Sequence, residues 1–183
     1  MTNIITAFQD GKVVLYPTDT IWGIGCLATN ETVVQKIYQI KGRSNDKSLI
    51  LLVSDISMLQ KYVPDLSAQV IDVINHYPRP LTVVYSNTIH LPDYLKAADG
   101  SIAIRIANDG FCKGIITALN EPITSTSANR SGEPTAPTFA SINPYIIKSV
   151  DYIELHRQDD DTIHAPSTIA KINEAGEMLI LRP

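Results

Sequence analysis

Cysteine is scarce in this chain of 183 residues, which holds only Cys26 and Cys112. Two thiols are too few for a disulfide framework and too few for a thiolate zinc site. Long apolar runs are missing as well, and none approaches the ~18–20 residues needed to cross a bilayer. The opening MTNIITAFQDGK has no basic stretch leading into an apolar one, so no secretory signal is read there. Positive charge is not in excess: 15 Lys and Arg stand against 19 Asp and Glu, a formal net charge of −4. That balance excludes a globally basic nucleic-acid binder. A glycine loop ending in Gly-Lys-Ser/Thr is absent, which excludes a standard P-loop. The serine elbow Gly-x-Ser-x-Gly is absent too. His76, His90, His156 and His164 fall in no spacing that marks a catalytic base. These absences point to a reduced, cytoplasmic protein with no membrane partner.

What is present is a core. Hydrophobic residues make up 44% of the chain and charged ones 19%, so a disordered chain is ruled out and one domain over 1–183 is expected. Strands and helices alternate. Val13 to Tyr16 is β-prone and ends at Pro17. Asn30 caps a helix from Glu31 to about Lys41 with Val33, Val34, Ile37 and Tyr38 on one face. LILLV (Leu49 to Val53) reads as a buried strand. Ser67 caps a second helix, whose Val70, Ile71, Val73, Ile74 and Tyr77 recur at helical spacing before Pro78. Leu81 to Ser86 and Ser101 to Ala107 are strands, Asp109 opens another helix, and ITSTSAN starts as a strand and opens into a polar loop. STIAKI and MLILR close the chain as a hairpin. Interleaved strands and helices with a terminal hairpin predict an α/β fold with a sheet of mixed direction.

Three polar segments lie at the ends of apolar runs, where α/β proteins place ligands. In Tyr16 to Gly25, Thr18, Asp19 and Thr20 offer hydroxyls and a carboxylate; alone, the segment reads as a turn. Lys41 to Lys47 carries three cations in seven residues, and Arg43 presents a planar fork suited to phosphate or carboxylate. A solvated helix end also fits it, because cations favour helix C-termini. Ser125 to Thr138 gathers Ser127, Asn129 and Thr135 with Gly132 and prolines, as a surface loop or as a cradle of short donors. Arg105 sits inside an apolar strand, so it is either ion-paired or faces a cleft. Arg182 is a frayed end or a contact closing over a site. The Asp159 to Asp161 run reads as a solvated loop. Together the segments imply a cleft with a cationic wall and a hydroxyl-rich wall, for an anionic, nucleotide-like ligand.

In their order along the chain, YPTDTIWGIG, KGRSNDKSLILLV, SIAIRI, STSANRSGEPT, PSTIAKI and the closing ILRP resemble the YrdC-like threonylcarbamoyl-AMP synthase family in its single-domain form. The resemblance implies an α/β single domain, a twisted mixed β-sheet flanked by helices with a large concave cavity. It implies synthesis of L-threonylcarbamoyladenylate and pyrophosphate from L-threonine, bicarbonate and ATP, with Mg2+ arriving on the nucleotide. A threonylcarbamoyl transferase complex would then modify tRNA with the product. By the same resemblance Arg43 and Lys47 are catalytic, and they bind ATP with Lys41, Ser101, Ser127, Asn129, Thr135 and Arg182. Thr20, Arg105, Ser125 and Ser167 bind threonine. Ser44 and Ser48 stand where the family commonly has proline, and Arg79 replaces a glycine. The alternative is a non-catalytic paralogue that binds double-stranded RNA or tRNA through a basic surface.

Overall fold

Asn30, Ser67 and Asp109 each cap a helix in the computed structural model of the chain, which describes residues 1–44, 48–173, 175 and 177–183. Their side-chain oxygens accept from the N–H groups of Val33, Val70 and Cys112 at 3.3, 3.3 and 2.9 Å. A cap of this kind satisfies one of the open donors of the first turn and is worth ~1 kcal/mol. The helices that follow are α2 (Glu31–Lys41), α4 (Ala68–His76) and α5 (Gly110–Leu119). Asp55 does the same for the short α3 (Ile56–Gln60). Three helices were not expected from sequence: this α3, α1 (Thr2–Gln9), which has no side-chain cap, and α6 (Pro144–Ser149).

The strands form one nine-stranded sheet. They are β1 (Val14–Tyr16), β2 (Gly23–Gly25), β3 (Ile50–Val53), β4 (Leu81–Tyr85), β5 (Ile102–Ile106), β6 (Ile123–Ser127), β7 (Tyr152–Ile153), β8 (Thr168–Ile172) and β9 (Met178–Arg182). Their order is β7-β1-β2-β6-β3-β5-β4-β8-β9. The pairs β1/β7, β3/β5 and β4/β8 are parallel and the others antiparallel, so the sheet is mixed, as expected. The terminal hairpin is also as expected. β2 is a departure: Gly23 to Gly25 was read as part of a turn, yet it pairs with both β1 and β6.

Alternation along the strands divides the molecule in two. On one face Leu51, Ile102 and Ile104 meet the helices, in a core that includes Ile4, Phe8, Tyr16, Ile37 and Ile115. Phe8 and Tyr16 meet edge to face with ring centroids 5.7 Å apart. Each such fully buried side chain contributes roughly 1.5–3 kcal/mol. Helix α4 is a partial exception to its sequence pattern, because among its residues only Val70 is buried. It covers a smaller satellite of Leu81, Val83 and Ala170 with half-buried Val73, Ile74 and Tyr77. On the opposite face Ala103 and Arg105 of β5 and Ser125 and Ser127 of β6 are free of helices and turn into a cavity. Among the described residues, no helix is long and apolar enough to cross a membrane.

Candidate functional site

The cavity has a volume of about 720 Å³, within the range of small-molecule sites. Its walls carry two groups of cations. The first begins where α2 stops. Gly42 ends the helix in the left-handed region at φ 57°, with its N–H returning to Gln39 O and Tyr38 O. This C-cap favours a residue without Cβ, and it throws Arg43 off the helix axis toward the cavity. Arg43 is half-buried, and its Nη2 donates to Ser48 O at 3.1 Å. Its Nε is buried and has no partner among the described residues. Burial disfavours the charge and holds its pKa below the usual guanidinium value. Ser48, Ser101, Ser127 and Thr135 line the same cavity. The Ser101 hydroxyl donates to Asp99 at 2.6 Å.

The second group lies further along β5. Register places Ile50 across from Ala103, and Leu52 across from Arg105. Ser48 and the Arg105 level are therefore separated by about 13 Å of strand at ~3.3 Å per residue. Arg105 is both of the things its position demanded: it is ion-paired and it lines the cavity. Its Nη1 meets Asp19 Oδ1 at 2.7 Å and Thr20 Oγ1 at 3.2 Å, while its Nε has no partner among the described residues. Thr18 fixes Thr20 through a 2.9 Å hydroxyl pair. Ser125 and Ser167 lie on the same wall. Ser167 Oγ is 2.8 Å from Thr82 Oγ1, and Arg182 Nη2 donates to Ser167 O at 2.7 Å. Arg182 is thus no frayed end. It stands beside Arg105, whose charge, after burial, pulls its pKa down. The resemblance had grouped it with the nucleotide contacts, whereas the fold puts it beside Ser167 and Arg105.

Two of the sequence-named residues do not line the cavity. Lys41 is 3% exposed, and its Nζ donates to Ser127 O at 2.6 Å and Asn129 O at 2.7 Å. This ammonium ties the end of α2 to the end of β6, which makes Lys41 a strut behind the wall rather than a charge on it, and no solvated helix end. Asn129 is also buried. Its Nδ2 donates to Glu133 O at 2.6 Å and closes the loop after β6. Lys47 lies outside the described residues. Asp19, Thr82 and Asp99 are functional candidates the sequence reading gave no role. For Thr82 the signal was present, since strand alternation puts it on the face of Val84, which lines the cavity, and its hydroxyl lies behind the wall against Ser167.

Burial and the charge of Arg43 push the Lys41 pKa down to about 8. An unfolded lysine titrates near ~10.4, so between these values the unfolded chain binds more protons than the folded one. Stability at this residue therefore rises as pH climbs from about 8 toward that unfolded value. The expected result is that Lys41→Met flattens this rise relative to the parent in urea midpoints measured across the interval. Parallel curves for the two proteins would show that Lys41 keeps an ordinary pKa.

The Sua5, YciO and YrdC family, described as "Telomere recombination", matches residues 6–183. A threonylcarbamoyl-AMP synthase of Xanthomonas oryzae is 29% identical over 186 aligned residues, covering 100% of this chain and 96% of that protein. One of Pseudoalteromonas translucida is 31% identical over 151 residues, 81% of each chain. In fold, Sua5 of P. abyssi complexed with L-threonine superposes with a TM-score of 0.79 at 23% identity. That likeness covers 99% of this chain and 53% of the solved one, so this chain spans about half of it. At that identity the likeness shows the fold, an α/β arrangement with a mixed sheet flanked by helices. The match over residues 6–183, with relatives alike along most of their length, places this chain in the Sua5/YciO/YrdC family.

Proposed function

We propose that the chain condenses L-threonine, bicarbonate and ATP to L-threonylcarbamoyladenylate and pyrophosphate. One observation carries this reading: a single cavity holds Arg43 at one end and the Arg105–Arg182 pair at the other, with hydroxyls between. Kinship with threonylcarbamoyl-AMP synthases supports a catalytic role of this kind. Arg43 faces the triphosphate, and Ser101, Ser127 and Thr135 take further nucleotide contacts. The unpartnered Nε of Arg105 receives the threonine carboxylate, flanked by Thr20, Ser125 and Ser167.

The amine of threonine adds to bicarbonate to give a carbamate, with loss of water. A carbamate oxygen then attacks the α-phosphorus, and the bond to the β-phosphate oxygen breaks to release pyrophosphate. No side chain needs to form a covalent intermediate. Arg43 stabilises charge building on the phosphates, and the walls hold the reactants in line, an effect worth up to ~7–11 kcal/mol. Among the described residues no three His, Cys, Asp or Glu are grouped to hold a metal. Mg2+ enters as the companion of ATP, a co-substrate that screens its phosphates. The adenylate is a labile product suited to a transferase that modifies tRNA.

The test is direct. The pure protein, incubated with ATP, Mg2+, bicarbonate and L-threonine, is expected to release pyrophosphate and yield threonylcarbamoyladenylate by mass spectrometry. Each reactant left out should abolish the product. Pyrophosphate release that ignores threonine would overturn the reading.

A further inference from the structure

We propose that Asp19 sets the charge of the cavity's inner end, so that it accepts a singly charged carboxylate and turns away a doubly charged phosphate. The inference rests on the functional reading above, which puts the amino acid at that end. Two guanidiniums, Arg105 and Arg182, share this wall. Left alone they would be a dication, the natural receptor of a phosphate, and this cavity must also hold a triphosphate nearby. A neutral amino acid would then compete for its own subsite with inorganic phosphate and with the pyrophosphate product.

Asp19 changes that count. Its Oδ1 lies 2.7 Å from Arg105 Nη1, and the side chains of the pair are 8% and 3% exposed. Water screens so buried a pair little, so the carboxylate cancels one of the two charges at close range. Its Oδ2 accepts from the Asn108 N–H at 3.4 Å, which fixes the carboxylate's orientation from the strand end. Arg182, by contrast, hydrogen-bonds neutral groups, Ser167 O at 2.7 Å and Ser167 Oγ at 3.4 Å. Among the described residues no carboxylate forms an ion pair with it. Arg157 also approaches this region, with Nη1 3.4 Å from Thr18 O, but Asp109 pairs with it at 3.3 Å. Among the described residues the inner end therefore carries a net single positive charge, the match of one carboxylate. Asp19 holds the guanidinium by its Nη1 and leaves the buried Nε of Arg105 without a partner among the described residues. It acts through Arg105 and is a specificity-determining, positioning residue.

Trp22 is the one tryptophan of the chain and lines the cavity, so its fluorescence reads occupancy. The experiment titrates the full chain with L-threonine, acetate and inorganic phosphate at about pH 8, where phosphate is mainly the dianion. The parent should bind L-threonine and take phosphate weakly. In Asp19→Asn both anions meet an added positive charge and the dianion gains more from it, so the ratio of phosphate to threonine Kd should fall about tenfold. A ratio of phosphate to threonine Kd within about twofold of the parent's would overturn the inference. Asp19→Glu keeps the charge and displaces it by one methylene. It should weaken threonine yet still exclude phosphate, an outcome a purely structural Asp19 does not predict. This variant decides the matter if Asp19→Asn does not fold, because phosphate tightening in it would equally sink the idea. If the parent binds no L-threonine, the functional reading fails on its own. The charge inference is then read from acetate against phosphate in the same variants.

Discussion

Arg43→Ala is expected to lower threonylcarbamoyladenylate formation by about 10³-fold while leaving the protein folded. The cause is local. α2 ends at the left-handed Gly42, and the next side chain is delivered to the cavity wall at the mouth of β3. Its guanidinium is held there by Ser48 O and keeps a buried Nε with no partner among the described residues. A buried donor without an acceptor is costly unless a ligand completes it, and a phosphate oxygen would. In the ground state the contact contributes binding. As the α-phosphorus is attacked, negative charge shifts toward the leaving pyrophosphate, and the fixed cation is worth more there than in the resting complex. The loss should therefore fall mainly on kcat, with a smaller rise in KM for ATP. Arg43→Lys keeps the charge but not the fork and should retain part of the rate. Stability should change little, because one hydrogen bond to a carbonyl is removed from a half-buried site, with a Tm shift below roughly 4 °C. Normal pyrophosphate release by folded Arg43→Ala would take this residue out of the mechanism.

The same residue illustrates what was legible in the sequence. Arg43 stood out because three cations in seven residues follow a capped amphipathic helix, and such a pattern needs only local chemistry to read. The caps at Asn30, Ser67 and Asp109 were readable for the same reason, as was the alternation in SIAIRIA that puts Arg105 opposite the isoleucines. Lys41 shows the limit. Its neighbour two positions on reaches the cavity, yet its own side chain leaves α2 on the face toward β6 and ends on two carbonyls 86 and 88 residues away. Asp19 was visible as a carboxylate between two threonines, but its partner lies 86 residues on, and no local pattern names such a partner. β2 was hidden for another reason. Two glycines in three residues have low strand propensity, so its identity as a strand is set by its neighbours rather than by itself. α1 lacks a side-chain cap, and its start carries no signal.

Gly25 is where that hidden strand matters most, and Gly25→Ala is expected to destabilise the protein by about 3 kcal/mol or more, a fall in Tm of roughly 10 °C. Gly25 is buried and pairs with Val14 of β1. A methyl group there would overlap the carbonyl oxygen of Thr124 on β6 and press on the Tyr16 ring at 3.0 Å. Neither neighbour yields easily. The Thr124 carbonyl is backbone and already accepts the Tyr16 hydroxyl at 3.1 Å, and the Tyr16 ring is fully buried against Phe8. Relief requires β2 and β6 to separate, and interiors packed to crystal density resist such shifts. The consequence extends to the cavity, since Thr124 precedes Ser125, and Ser127 is held by pairing with Gly23. The folded fraction of Gly25→Ala should therefore bind L-threonine and ATP more weakly than the parent, as measured by Trp22 fluorescence below its lowered Tm. Gly23→Ala is the control: its added methyl meets a side-chain hydroxyl, Ser125 Oγ, at 3.0 Å, and a hydroxyl can rotate or shift where a carbonyl in a strand cannot. A smaller stability loss in Gly23→Ala than in Gly25→Ala tests the assignment of the cost to the backbone of β6. Equal losses would show that the β6 carbonyl is not the source of the cost, because removing glycine's chain entropy by itself favours the folded state of both variants.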